Sequence, residues 1–314
     1  MRSPRAIILP LGLMALACVA CDGRGTTGAA PLLVFGRTGM GPGEFSYPRA
    51  AVAAGGEFYV VDKAARIQRF TADGQFVCEW EMPSKSAGKP TGLGAGPDGR
   101  IYVADTHYSR VLIFDQRGER LGEFGSFGQG PGQFGLPTDV VADREGCLYV
   151  SEYGLSDRVS KFSPQFEFLF SIGGPDGAVQ FRRPQGLLLD ENDGLWVSDS
   201  CHHRICQFDS AGRLVRTFGC SGSAAGELRF PYGMDWLSDG TLVVAEYGNN
   251  RVQRFDREGR SLGTWGRAGR GPGELAYPWA VVVLPQDRVV VIDSGNNRVQ
   301  IFDGRAPGSW QPPK

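Results

Sequence analysis

A sequence pattern that recurs six times is the feature that most constrains the fold of this chain. Each copy has a short apolar run ending in an acidic residue, then a small polar loop, an arginine and, four residues later, a phenylalanine. The acidic residues are Asp62, Asp105, Glu152, Asp199, Glu246 and Asp293. Successive acidic residues lie 43, 47, 47, 47 and 47 residues apart. A period of this length is typical of solenoids and β-propellers.

Three further positions keep the same register in every copy. A proline precedes the acidic residue: Pro48, Pro90, Pro137, Pro184, Pro231 and Pro278. The arginines are Arg66, Arg110, Arg158, Arg204, Arg251 and Arg298. The phenylalanines are Phe70, Phe114, Phe162, Phe208, Phe255 and Phe302. The agreement of four features predicts six copies of one structural unit rather than two unrelated domains. An acidic residue and an arginine that recur in all copies are interpreted as a structural pair.

Each unit contains four strand-like segments, which we call a, b, c and d. In the fifth unit they are predicted at 232–237, 241–246, 251–255 and 261–265. Aspartate followed by glycine between a and b, and between c and d, supplies the positive φ that tight hairpins need. The segments are often apolar on both faces, which suits sheets packed on both sides. The sequence therefore predicts an all-β, six-bladed β-propeller of four-stranded antiparallel blades.

The two ends of the repeat region predict how the ring closes. Only 12 residues follow Phe302, and they contain no convincing fourth strand. The segment 32–48 matches 261–278, so we expect 32–36 to be the outer strand of the last blade. Such pairing removes an open sheet edge. The propeller is thus predicted at 32–303, with a C-terminal tail at 304–314.

Two copies carry a recognisable family signature. RVQRF follows GNN at 248–250, RVQIF follows GNN at 295–297, and units begin with segments such as PYGMDW and PTDVVAD. These motifs resemble NHL repeats, and the resemblance covers roughly 32–303. It implies a six-bladed propeller. Propellers of this type include binding modules, sensor domains and a few enzymes, so the fold leaves the function open.

The first residues resemble a bacterial export signal. Arg2 and Arg5 precede an apolar run at 6–17, which is too short to cross a bilayer as a mature helix. The segment 1–17 is predicted to be a signal peptide, followed by a lipidated or flexible tether at 18–31. Ala15, Leu16 and Ala17 lead into Cys18 in the manner of a lipobox, and Cys21 is the alternative lipidation site. We expect a cell-envelope lipoprotein, periplasmic or on the outer surface; the alternative is a secreted protein.

The segment SCHHRIC at 200–206 combines residue types that bind zinc. Its Cys-x₄-Cys spacing is not that of a standard zinc finger, and His202 and His203 occupy the positions of two asparagines in the fifth unit. A disulfide involving Cys201, Cys206 or Cys220 is an alternative in an exported protein. Plain thiols are the third interpretation and the one favoured. No metal or other cofactor is therefore predicted.

The candidate binding site is predicted where the sequence departs from its own repeat. In a meander, the b–c loops and the connectors between units lie at one end of the ring, around the central channel. The residue after each proline begins the innermost strand and varies between units. The predicted ligand-binding residues are Arg49, Asp139, Gln185, Tyr232, Trp279, Tyr153, Tyr247, His107 and His202. An aromatic side of the mouth suits a protein, peptide or glycan partner.

Two functional hypotheses follow from the sequence. The first is a binding or scaffold module held at a membrane by an N-terminal lipid anchor. The second is a metal-dependent lyase or hydrolase at the channel mouth, because NHL-type amidating lyases resemble this fold and bind zinc through channel histidines. No histidine begins an innermost strand here, which favours the first hypothesis. The formal net charge of −1 and the lack of a basic ring predict no nucleic-acid partner.

Overall fold

The computed structural model describes residues 30–306 and 310–311. The predicted signal peptide, Cys18 and Cys21 lie outside the described residues. In the part of the chain that is described, no helix is long and apolar enough to cross a membrane.

The described residues form six four-stranded antiparallel sheets in sequence order, which confirms the predicted fold class. Blade 1 contains β2 (Pro48–Ala54), β3 (Glu57–Asp62), β4 (Arg66–Thr71) and β5 (Phe76–Glu81). Blade 2 contains β6 (Gly92–Ala95), β7 (Ile101–Asp105), β8 (Arg110–Phe114) and β9 (Arg120–Phe124). Two short connector strands, β10 (Ser126–Phe127) and β11 (Gln133–Phe134), pair in parallel.

The remaining blades repeat the same order. Blade 3 contains β12 (Leu136–Ala142), β13 (Leu148–Tyr153), β14 (Arg158–Phe162) and β15 (Phe168–Gly173). Blade 4 contains β16 (Pro184–Leu189), β17 (Leu195–Asp199), β18 (Arg204–Phe208) and β19 (Leu214–Phe218). Blade 5 contains β20 (Pro231–Trp236), β21 (Leu242–Glu246), β22 (Arg251–Phe255) and β23 (Ser261–Trp265). Blade 6 contains β24 (Pro278–Leu284), β25 (Arg288–Asp293) and β26 (Arg298–Asp303), completed by β1 (Leu33–Phe35).

Within the described residues, four single turns of 3-10 helix lie between strands. They are Thr106–Tyr108, Ser200–His202, Pro285–Asp287 and Ser294–Asn296. Three of them form b–c loops. The predicted strand limits in blade 5 differ by one residue, because Pro231 already pairs with Glu246 while Leu237 belongs to the following turn.

Ring closure occurs as the repeat predicts. β1 pairs antiparallel with β26, with Val34 opposite Gln300. The ring of Phe35 packs against Phe58 and Phe70, whose centroids are 6.4 and 5.2 Å away. The first described strand therefore both completes blade 6 and fills the interface between blades 6 and 1.

The core lies between neighbouring blades. The interface of blades 6 and 1 buries the phenylalanine of the repeat, Phe70, with Phe58 and the aliphatic Val290 and Ile301. Equivalent clusters fill the other described interfaces. Both faces of the b strands are buried, which explains their mainly apolar sequence.

The acidic residue and the arginine of the repeat form an ion pair in all six blades. The arginine Nε donates to the carboxylate over 2.5 to 3.1 Å. In blade 5, the Arg251 guanidinium also donates to carbonyl oxygens of the preceding connector, including those of Ser223 and Glu227. The other carboxylate oxygen of Glu246 accepts the backbone N–H of Arg229. The pair therefore fastens the connector to the b–c loop, as a structural role requires.

Two residues of the predicted tail join a blade. Gln311 pairs antiparallel with Thr264 beside β23, and the Trp310 ring lies 4.9 Å from the Trp265 ring. The sequence predicts no strand in this segment, because a single pair of residues carries no strand pattern.

Candidate binding site at the channel mouth

The six inner strands surround a channel whose cavity volume is about 330 Å³. We call the end of the ring that carries the b–c loops and connectors the loop face, and the channel opening on it the mouth. The channel wall is mainly aliphatic, with residues such as Ala51, Leu93 and Leu187. The predicted residues Asp139, Gln185, Tyr232 and Trp279 also line it.

Before four of the six repeat prolines, the same backbone arrangement presents the preceding residue on the loop face. Tyr47, Arg183, Phe230 and Tyr277 have φ between 50° and 57°, in the left-handed region that is unfavourable for non-glycine residues. A side chain of the preceding b–c loop holds each of these backbone N–H groups. The acceptors are Asn297 for Tyr47, Asp157 for Arg183, His203 for Phe230 and Asn250 for Tyr277. These bonds stabilise a backbone conformation that would otherwise be strained.

Five rings gather at one side of the mouth. This aromatic cluster consists of Tyr47, Tyr232, Tyr247, Tyr277 and Trp279, which come from blades 5 and 6 and the connector into blade 1. Tyr232 stacks on Tyr247 at 4.9 Å and meets Trp279 edge-on at 4.9 Å. Tyr277 lies 5.1 Å from Tyr247 and is 49% exposed. The hydroxyls of Tyr47 and Tyr247 are 3.1 Å apart. In this cluster four rings pack against one another, and the fifth, that of Tyr277, is exposed.

Burial disfavours ionisation of two phenols of the cluster, those of Tyr47 and Tyr232. Desolvation raises the pKa of Tyr232 to about 12, and it also raises the pKa of Tyr47 well above its usual range. The hydroxyl groups therefore remain protonated at neutral pH and can donate or accept hydrogen bonds.

Two arginines lie over rings at the mouth. The Arg49 guanidinium carbon is 5.3 Å from the Trp279 ring centre, and that of Arg183 is 4.8 Å from the Tyr153 ring centre. Such cation–π contacts hold a guanidinium in place while leaving its N–H groups free for other acceptors. The mouth therefore has an aromatic side and two oriented cations.

The channel carries two carboxyl groups that the protein surrounds. Asp139 accepts a hydrogen bond from the Leu187 N–H at 2.9 Å, and Asp235 accepts one from the Val283 N–H at 2.6 Å. Burial raises the pKa of Asp139 to about 7 and that of Asp235 to about 6. Asp139 is therefore a mixture of neutral and ionised forms at neutral pH.

The two predicted histidines lie apart from this arrangement. His107 is exposed, and its Nδ1 accepts the backbone N–H of Lys89 at 3.3 Å. His202 Nδ1 is 2.8 Å from the Asp199 carboxylate. His202 thereby takes the place of Asn249, which bonds the equivalent carboxylate in blade 5. Neither histidine lines the channel cavity.

In the structure, the residues of the SCHHRIC segment have structural roles in the loop and strand. His203 accepts the Phe230 N–H, as Asn250 does for Tyr277, so the two histidines substitute for the asparagines of the repeat. Cys201, Cys206 and Cys220 are free thiols. Burial raises the pKa of Cys206 to about 12, which makes it a poor nucleophile. Within residues 30–306 and 310–311, no three metal-binding side chains converge.

Sequence reasoning missed four residues of the site: Tyr47, Tyr277, Arg183 and Asp235. The first three precede a proline, a position that was not compared between units. The recurring Tyr-Pro at 47–48 and 277–278 was the available signal. Asp235 had no such signal, because its strand reads as an ordinary apolar inner strand.

Comparison with known proteins identifies the repeat. The NHL repeat family matches residues 88–114, 181–208 and 275–302. Each match runs from the connector to the phenylalanine at the end of strand c, in blades 2, 4 and 6. The chain therefore contains NHL repeats, and the six blades share one architecture.

Two relatives illustrate how far sequence similarity extends. "Protein brain tumor" of Drosophila melanogaster is 28% identical over 134 residues, covering 42% of this chain and 12% of that protein. "NHL repeat-containing protein 3" of Homo sapiens is 28% identical over 171 residues, covering 47% of this chain and 46% of that protein. The chain thus matches less than half the length of either relative.

Solved structures share the fold. A streptogramin B lyase structure superposes with a TM-score of 0.60 at 17% identity, covering 87% of both chains. A protein of unknown function from Bacteroides thetaiotaomicron gives a TM-score of 0.65 at 14% identity, covering 88% of this chain and 75% of the other. At such low identity these likenesses establish the propeller fold alone.

Proposed function

We propose that this NHL-repeat propeller is a binding module that holds a protein, peptide or glycan partner against the mouth on its loop face. The observation that supports this function is the aromatic cluster. The rings of Tyr47, Tyr232 and Tyr247 meet around Trp279. Tyr277 lies against Tyr247 and remains about half exposed. Large aromatic side chains with polar edges are the residues that most often dominate binding energy at interfaces.

The surrounding frame makes the cluster rigid. Tyr47 and Tyr277 are each held at the backbone by an asparagine side chain, and Trp279 is packed between Tyr232 and Arg49. These side chains would therefore lose little conformational entropy when a partner binds. The b–c loops and connectors extend this rigid surface outward.

The cluster is tested by replacing Trp279 or Tyr277 with alanine. Proteins or glycans captured by the wild-type protein from extracts of its source cells are identified, and dissociation constants are then measured with each purified partner. We expect Trp279→Ala to weaken binding about thirtyfold, which corresponds to a hot-spot loss of about 2 kcal/mol. Tyr277→Ala, whose ring is more exposed, should weaken binding less.

Phe127 supplies a matched control. It is an aromatic residue on a connector, is 71% exposed and lies outside the cluster. Phe127→Ala should leave the dissociation constant unchanged. Equal losses in Trp279→Ala and Phe127→Ala would indicate nonspecific adsorption and would contradict the proposal. Melting curves establish that each variant is folded.

We also propose that the chain is exported and anchored to the cell envelope through a lipid at Cys18. The support is sequence alone: Arg2 and Arg5, the apolar run at 6–17 and the lipobox-like residues before Cys18. Metabolic labelling with palmitate in the source cells should label the wild type and Cys21→Ser, but not Cys18→Ser. Label lost only from Cys21→Ser would reassign the site, and an unlabelled wild type would rule out the anchor.

A further inference from the structure

The chain pairs its buried arginines with carboxylates throughout the frame, yet two arginines at the mouth have no such partner. Within the described residues, neither Arg49 nor Arg183 forms an ion pair, and the Nε of each is buried without a hydrogen bond. The side chain of Arg49 makes one long hydrogen bond, 3.4 Å from Nη1 to the Pro90 carbonyl. Both side chains are half-buried, so the desolvation of the buried part of each guanidinium is not compensated by an anion.

The two cations belong to opposite blades. Arg49 begins the inner strand of blade 1, and Arg183 precedes that of blade 4. They are close enough for the charge of Arg183 to contribute to lowering the pKa of Arg49, although burial of Arg49 is the larger cause. Tyr232 and Tyr153 also interact electrostatically with Arg49. The charges of both arginines therefore act on the same opening.

The carboxyl groups of Asp157 and Asp139 already accept backbone N–H groups. Asp157 accepts the backbone N–H groups of Arg183 and Gly154 at 3.0 and 3.2 Å. Asp139 lies in the channel, where it is bonded to Leu187 and is only partly ionised at neutral pH. The frame carboxylates are paired with the repeat arginines. An anion from outside the chain would therefore reduce the repulsion between Arg49 and Arg183. It would also accept the hydrogen bonds that their guanidinium groups lack.

We propose that the mouth binds an acidic peptide, with a carboxylate of that peptide seated between Arg49 and Arg183 and an adjacent side chain against the aromatic cluster. This inference rests on the proposed binding function and narrows the partner to one class. A guanidinium offers a planar pair of N–H groups that matches a carboxylate, and charge-assisted bonds of this type are stronger than neutral ones.

The channel below the mouth favours a peptide over an acidic glycan. Its wall is mainly alanine, valine and leucine, and its cavity of about 330 Å³ has room for an apolar side chain. Thr91 is already bonded to Thr106 and to the Thr138 carbonyl. An apolar side chain would be buried favourably against the aliphatic part of this wall, whereas the hydroxyl groups of a sugar would lose water there.

The test uses two pools of short random peptides as probes on the immobilised protein. One pool has free C-termini and includes aspartate and glutamate; the other is amidated and carries asparagine and glutamine instead. We expect the wild type to retain the acidic pool at least about tenfold better, as a charged hydrogen-bonded pair would give. Arg49→Gln and Arg183→Gln should each remove most of this preference, while Arg49→Lys should keep part of it.

Arg37→Gln is the matched control, since Arg37 is an arginine on a connector, is 82% exposed and is paired with Glu44. It should retain the wild-type preference. An acidic-pool preference that persists in both glutamine variants would overturn the carboxylate site, and the proposed binding function would survive if Trp279→Ala still abolished retention. Retention of uronic-acid oligosaccharides instead of either pool would overturn the peptide assignment. Retention of none of these probes would overturn the acidic-peptide assignment, whereas the proposed binding function would be contradicted by the absence of any partner captured from extracts of the source cells.

Discussion

A chain that begins at residue 37 is expected to melt at least about 10 °C below the chain that begins at residue 30. The deletion removes β1, and with it the ladder to β26 and the Leu32 N–H bond to the Ile301 carbonyl at 2.7 Å. It also removes Phe35 from its packing against Phe58 and Phe70. Losing three partly buried apolar side chains costs about 5 kcal/mol, a large part of the stability of a typical domain.

The chain beginning at residue 30 is the control, because it keeps every contact of β1. Thermal and urea unfolding should show the same midpoint for this chain and for the mature protein. A chain beginning at residue 37 with an unchanged midpoint would mean that β1 does not close the ring. The unfolding midpoint of Phe35→Ala should fall between those of the two chains, since this change removes the packing of the ring and keeps the hydrogen bonds between β1 and β26.

Replacing Arg251 with methionine is expected to cost about 3 kcal/mol at neutral pH, because it leaves a buried carboxylate without its cation. The Glu246 side chain is fully buried, and the Arg251 Nε donates to it at 2.5 Å. The guanidinium also fastens the connector through the Ser223 and Glu227 carbonyls at 2.6 and 2.9 Å. Urea unfolding at several pH values measures the loss.

The stability lost in Arg251→Met should increase as the pH rises. Burial already raises the pKa of Glu246, and Arg251 is the strongest opposing influence. Without Arg251 the folded-state pKa rises further above the unfolded value of about 4.3. A raised pKa favours the folded state below the unfolded value, and this advantage is lost as pH rises through the folded value. The gap between variant and wild type should therefore be smallest near pH 4 and grow toward pH 8.

Two further variants separate the effect of the unpaired charge from the effect of the lost connector bonds. Glu246→Gln combined with Arg251→Met should recover part of the stability, because the unpaired charge is gone. Arg37→Met changes an exposed pair and should have little effect. A loss from Arg251→Met that is independent of pH would show that the connector bonds, rather than the charge, dominate.

The frame of this fold could be predicted because it is repeated. Six aligned acidic residues, arginines and prolines defined the blades, and the likeness of 32–48 to 261–278 identified the closing strand. Trp310 escaped prediction, since its contact with Trp265 depends on a tail without periodicity.

The site was only partly predictable, because it consists of departures from the repeat. Tyr232 and Trp279 stood out by their variable position and lie together in the structure. Tyr47 and Tyr277 join them through a left-handed backbone that asparagines of the preceding blade stabilise, which a single unit does not reveal. His107 and His202 were predicted farther out on the same face. There His107 accepts the Lys89 N–H of the preceding connector, and His202 lies beside the Asp199 carboxylate.

The dissociation constant of a captured partner, measured in parallel for Trp279→Ala and Phe127→Ala, tests most directly whether the mouth is the binding site. We expect about thirtyfold weaker binding for the first variant and no change for the second. Unchanged binding in folded Trp279→Ala protein would contradict it, and would place the partner elsewhere on the ring.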